Sequence, residues 1–177
     1  MIRKVNGVAK VFLAALVAAE ARAGGYDGGV DGQDGPQPAV VVAPKGAPAA
    51  SDLMEFSGGP LTHNRFFVAG HTVTVEADGE VRYVLVVKTQ GGATNITYEG
   101  MSCDRRQYRT YYLGRPDGTW VKAKAEEWGV IEPKSLNQHR QTLYREVFCP
   151  LGPVSGPEEA RRALLRNLPV TDPGGRP

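Results

Sequence analysis

The sequence predicts an α+β domain: an antiparallel sheet of about five or six strands, one helix packed on a face, and a single disulfide. Three observations predict it. The middle of the chain carries runs of β-branched and aromatic residues broken by Gly-bearing turns. A stretch over 135–148 repeats its apolar residues at helical spacing, and the chain has two cysteines, Cys103 and Cys149.

Residues 72–76 and 81–88 flank Asp78-Gly79, a hairpin signal. Within 81–88, Val81, Tyr83, Leu85 and Val87 alternate with Val84 and Val86, so apolar side chains project from both faces and a central strand is expected. Gly91-Gly92 turns the chain into a strand over 94–103. A further hairpin joins 107–113 to 120–124 through Arg115, Pro116, Asp117 and Gly118. Pro second and Gly fourth suit a type I turn followed by a left-handed residue.

The helix is expected over 135–148. Ser135 and Gln138 form a capping-box pattern just past Pro133, and Leu136, Leu143, Tyr144, Val147 and Phe148 share one face. A second, shorter helix is expected over 157–168, with Ser155 and Glu158 as its capping pair. Ala160, Ala163, Leu164 and Leu168 make one side, and Arg161, Arg162 and Arg166 another. It reads as a terminal helix half-docked on the domain, or as a basic segment for an anionic surface.

The first 23 residues read as a cleavable signal peptide. Arg3, Lys4 and Lys10 precede an apolar run over 11–19, too short to span a membrane, and Ala21-Arg22-Ala23 fits the cleavage rule. Residues 24–50 read as a flexible spacer, first Gly/Asp and then Pro/Ala-rich. The domain is expected over 51–152, followed by a short basic helix and a Pro/Gly tail over 153–177. Export places the protein in the periplasm first, with secretion or surface exposure as alternatives, and no later stretch is apolar enough to span. Most of the excess positive charge belongs to the leader (Arg3, Lys4, Lys10 and Arg22 against Glu20), so the remainder is balanced to within one charge. That removes the global electrostatic argument for a nucleic-acid partner.

Outside the cytoplasm two cysteines in a small domain pair, and a Cys103–Cys149 bridge would contribute roughly 4 kcal/mol. The functional alternative is a catalytic thiol. His139 lies ten residues before Cys149, which along a helix is about 15 Å and out of hydrogen-bond reach. His63, His71 and His139 do not share metal-ligand spacing, so no metal or cofactor is expected. Adjacent Glu126 and Glu127 diverge on a strand, and no nucleophile elbow, P-loop or dinucleotide fingerprint appears, so no catalytic residue is assigned. Asn95-Ile96-Thr97 fits a glycosylation sequon, a pattern frequent by chance.

The most suggestive patch is Arg105 to Tyr112, read as a strand. Strand alternation puts Arg105, Arg109 and Tyr111 on one face and Tyr108 and Tyr112 on the other. Arg and Tyr are enriched where partners dock, which makes the first face a candidate interaction surface. The plain alternative is a strand with its Tyr face buried and its Arg face solvated. Arg65 and Glu99 read as a structural ion pair between neighbouring strands.

Several stretches together resemble a known family. They are Asn64-Arg65-Phe66-Phe67-Val68, the run over 81–87, and Tyr98-Glu99-Gly100 leading to Cys103. Asp117-Gly118-Thr119-Trp120, Trp128, Leu143-Tyr144 and Phe148-Cys149-Pro150 follow. Over 52–150 the chain resembles the cryptic neisserial protein (CNP1-like) family of bacterial envelope proteins. The resemblance implies a bacterial origin and the cell envelope, and carries over no catalytic residue. A looser similarity is to the surface-adhesin protein E family, in which an antiparallel sheet and a disulfide-clipped helix serve binding of host molecules. The expected function is an exported, non-enzymatic binding or structural module of the envelope, with an envelope protein or glycan as partner and no nucleic acid. The alternatives are a surface-displayed adhesin and a small envelope hydrolase. The hydrolase would need a pocket holding a histidine beside Glu99 or Arg65 with a nucleophile in reach.

Overall fold

The computed structural model describes residues 40–60, 62–125, 127–132 and 138–169. The expected signal peptide, the spacer as far as residue 39, Glu126, the helix start at Ser135 and the tail from residue 170 lie outside the described residues.

The turn signals act as expected, and each hairpin returns the chain beside the strand it just left. β1 (Leu53–Phe56), β2 (Arg65–Val75), β3 (Val81–Lys88), β4 (Thr94–Ser102), β5 (Gln107–Gly114) and β6 (Trp120–Lys122) therefore lie in sequence order, every pair antiparallel. β7 (Gly129–Val130) adds to β5 beside Gln107 and Tyr108. Gly79 (φ 80°) and Gly118 (φ 83°) occupy the left-handed positions of the two hairpin turns, where a side chain would be strained. β2 begins earlier than the expected 72–76 and carries a register shift between Ala69 and Thr74. The Thr72 hydroxyl repairs the interrupted ladder: it accepts the Val84 N–H at 2.9 Å and donates to the Ala69 carbonyl at 2.6 Å.

A central strand with apolar residues on both faces requires two covers. On the first face Phe66, Val68, Val81, Tyr83, Leu85 and Met101 are buried beneath the helices. α1 (Gln138–Thr142) passes directly into a π-helical turn, Leu143–Phe148, in which the Cys149 N–H bonds to the Tyr144 carbonyl at 2.9 Å. This wider winding replaces the regular helix expected to residue 148. It buries Leu143, Val147 and Phe148 completely, sets Phe148 against the Tyr83 ring at 4.7 Å, and delivers Cys149 to its disulfide with Cys103. α2 (Pro157–Arg166) lays Ala160, Ala163 and Leu164 on β1 and β2. It is docked along its apolar side, although Leu168 is half-exposed. The Ser155 N–H and hydroxyl both donate to Glu159, one position later than the expected partner Glu158.

The second face buries Phe67, Ala69, Val84, Val86 and Tyr98. Residues 40–48, expected to belong to a flexible spacer, run across it as a strap. Val41 packs on this core while Val40 and Val42 face outward. The strap is tied by its backbone: the Tyr112 hydroxyl donates to the Val41 carbonyl at 3.0 Å and the Trp120 indole to the Gly46 carbonyl at 2.9 Å. Trp120→Phe removes one such tie, worth about 1 kcal/mol. Faster amide exchange confined to 40–48 is the expected result, and uniform exchange along the strap would show that the indole does not hold it.

Candidate functional site

β4 alternates Thr97, Glu99 and Met101 toward the helices, which carries a carboxylate into an otherwise apolar layer. Glu99 is fully buried. Arg140, from α1, grips it with two bonds, Nε to Oε2 at 3.0 Å and Nη2 to Oε1 at 2.6 Å. The Tyr83 hydroxyl donates to Oε2 at 3.2 Å and the Thr97 hydroxyl to Oε1 at 2.8 Å. The Arg140 guanidinium also lies over the Tyr108 ring, 4.0 Å from its centre. Burial pushes the Tyr83 phenol well up, and the Glu99 charge adds to the shift. For Arg140, burial works against the charge, but Glu99 more than offsets it and holds the guanidinium above its ordinary value.

His139 precedes Arg140 and stacks on Phe66 with ring centres 4.6 Å apart. It is 7% exposed, and its Nδ1 has no hydrogen-bond partner. Burial, then the positive charge of Arg140, lowers its pKa to about 4, with Glu99 opposing. The sign of the resulting pH dependence follows. An unfolded chain protonates His139 below about 6.5, whereas the folded chain resists until about 4. In that window the unfolded state binds more protons, so stability is complete above pH 6.5 and declines as pH falls, by about 3 kcal/mol at the lower limit. Urea titrations across the window should show this loss, and His139→Phe should flatten it. An unchanged slope in the variant would assign the acid loss to other groups.

Of these side chains Phe66, Thr97, His139 and Arg140 line an open cleft of about 260 Å³ on the first face, at the end of β3 and β4 that bears Val87 and Asn95. Phe66, Leu85 and Val87 make its apolar part, and Thr62, Asn64, Asn95 and Thr97 its polar rim, with His139 and Arg140 at the helix side. A larger cleft of about 340 Å³ lies on the second face, walled by Val42, Pro44 and Lys45 of the strap together with Tyr98 and Trp120. Size does not decide between them. The smaller one is lined by Arg140, backed by the buried Glu99, and by His139, and it is where binding chemistry is concentrated.

The expected interaction surface is divided. The β4–β5 register shifts between Tyr98 and Glu99, so Tyr98 faces Tyr112 and Glu99 faces Thr110, leaving Tyr111 as an extra residue. Strict alternation therefore fails: Tyr108 lies on the first face under Arg140, and Tyr112 lies on the second. Arg105 sits exposed in the turn before β5 rather than on the strand. Arg109 and Tyr111 do come together, on the second face. The guanidiniums of Arg82 (5.6 Å) and Arg109 (5.3 Å) each lie over the Tyr111 ring, and its hydroxyl donates to Glu80 at 2.8 Å. Burial pushes that phenol up, reinforced by Glu80. Tyr111 is thus engaged within the protein. Gly100 lies beneath this cluster, where a Cβ would fall 1.9 Å from Glu80 Oε1 and 2.8 Å from the Tyr111 ring. Gly100→Ala should cost about 1–3 kcal/mol in a urea titration. The loss should shrink on a Glu80→Ala background, which removes the carboxylate the Cβ would meet first, and full additivity would place the clash elsewhere.

The Arg65–Glu99 pair expected from the sequence does not form. Arg65 pairs with Glu55 of β1, Nε to Oε1 at 2.8 Å and Nη2 to Oε2 at 2.5 Å. Two facts separate it from Glu99. β3 lies between β2 and β4, and Arg65 projects with Phe67 from the second face while Glu99 projects from the first. His71 pairs with Asp52, His63 is exposed, and among the described residues no group of three or more His, Cys, Asp or Glu is placed to hold a metal. Arg140 and His139 went unassigned as a site because nothing in their own segment marks them. The available clue was Glu99, a carboxylate in the inward register of a strand, which demands a cation from elsewhere.

Fold and site together define a disulfide-clipped α+β domain, an antiparallel meander with a polar cleft over a buried ion pair. The chain belongs to the CNP1-like family, whose model matches residues 39–168. The match takes in the strap and α2, both outside the 51–152 expected for the domain. No curated protein and no solved structure matches the chain. No helix among the described residues is long and apolar enough to cross a membrane.

Proposed function

We propose that this protein is an exported, non-enzymatic binding module of the bacterial cell envelope, and that it receives its partner at the cleft over Glu99 and Arg140. One observation carries the binding reading. A buried ion pair contributes little over apolar residues of the same shape, so a guanidinium that lines an open cleft while a fully buried carboxylate holds it from behind is better accounted for by recognition than by stability. The leader-like first residues and the Cys103–Cys149 bridge support export, since disulfides persist in oxidising compartments.

The cleft does place a histidine near Glu99, as a hydrolase would require. Its chemistry favours binding. Glu99 accepts from Arg140, Tyr83 and Thr97 at once, which leaves it poorly disposed to take a proton from a nucleophile. Cell fractionation with in-cell crosslinking and mass spectrometry tests the reading. A periplasmic chain joined reproducibly to one envelope partner supports it, and a chain retained in the cytoplasm overturns it. Digestion by protease added to intact cells would instead indicate surface display, as for an adhesin.

A further inference from the structure

We infer that the cleft over Glu99 and Arg140 is a binding site for a neutral saccharide unit, contacted by Asn95, Thr97 and His139; this deepens the binding-module reading and rests on it. Charge decides the ligand class first. Arg140 is held by two bonds to Glu99, so neither group presents a free charge to the cleft. An anion would find a guanidinium already neutralised, and a cation a carboxylate already saturated and fully buried.

Hydrogen bonding decides next. The rim consists of hydroxyls and carboxamides, Thr62, Asn64, Asn95 and Thr97, groups that both donate and accept, except that Thr97 gives its proton to Glu99 and is left to accept. His139 is more than nine-tenths buried, lines the cleft, and has a ring nitrogen with no partner in the protein. A buried polar atom of this kind calls for a partner from outside. Nδ1 is itself enclosed by protein, so a sugar hydroxyl reaches it through a small turn of the ring, and it serves either imidazole tautomer because it can donate or accept.

Shape agrees. Val87, only partly buried, supplies apolar surface for the C–H face of a pyranose. The volume of about 260 Å³ falls just under the range of roughly 300–1,000 Å³ usual for small-ligand sites, which suits one ring rather than a long chain.

The test is an NMR titration of the ¹⁵N-labelled full chain with N-acetylglucosamine, with glucuronate and glucosamine as anionic and cationic controls. Saturable shifts at Asn64, Asn95, Thr97 and His139 with the neutral sugar, weaker with both charged ones, are expected. His139→Phe keeps the ring stack on Phe66 but removes the nitrogens, and should weaken binding about fivefold. Asn95→Ala, at an exposed position, should do likewise without disturbing the fold, which the same spectra report. The inference is overturned by absence of saturation with the neutral sugar, by tighter binding of a charged sugar, by shifts confined to the strap face, or by affinity unchanged in both variants. A silent cleft in a chain that still crosslinks to an envelope partner overturns this inference alone. Sugar binding by a chain found in the cytoplasm would uphold it and overturn the export reading.

Discussion

Replacing Arg140 by Met is expected to cost about 3–5 kcal/mol, because it strands a carboxylate that has no access to water. Tyr83 and Thr97 would still donate to Glu99, but two neutral hydroxyls do not replace a charge held by two bonds. Since a domain of this size is stable by only about 5–15 kcal/mol, the variant should be severely weakened. The second half of the experiment carries the logic. Glu99→Leu combined with Arg140→Met removes both charges and should recover most of the loss, since apolar replacement of a buried pair is commonly neutral or better. Urea midpoints for parent, single and double variants complete the cycle. A single variant within about 1 kcal/mol of the parent would show that the pair behaves as a solvated one and that the cleft is wetter than its geometry indicates.

The second large effect is loss of the Cys103–Cys149 bridge. The cysteines are 46 positions apart, and freeing them restores loop-closure entropy to the unfolded chain, about 4 kcal/mol in the chain-entropy model. The double Cys→Ala variant should show that loss in equilibrium unfolding, with the earliest amide exchange in the π turn. Both cysteines are buried, so reductant should reach the bridge in the parent only through opening of the helix cover. A stable double variant would mean that packing of Leu143, Val147 and Phe148 suffices to hold the turn.

Much of the fold was legible because its signals are local. The Asp78-Gly79 and Pro116-to-Gly118 turns fix hairpins within a few residues, and the two-faced apolar run of 81–88 identifies a central strand without reference to anything distant. What escaped depends on register and on partners far along the chain. One extra residue, Tyr111, is enough to place Tyr108 and Tyr112 on opposite faces, and no local pattern announces it. The cation for Glu99 comes from 41 positions away, while the nearer candidate Arg65 is separated from it by a whole strand. The π turn was equally hidden, since its apolar spacing also reads as an ordinary helix. The strap was missed for a different reason: its Pro and Gly composition resembles a linker, and it is held through backbone carbonyls that composition does not reveal.

Those carbonyl ties have a kinetic corollary. The strap leaves the ribosome ahead of every strand, yet its two anchors are donated from 71 and 74 positions downstream. Contacts of such long range close slowly, because the intervening chain must first be ordered. The first-made described segment thus has no docking place until β5 and β6 have joined the sheet, and its closure is expected only after they have.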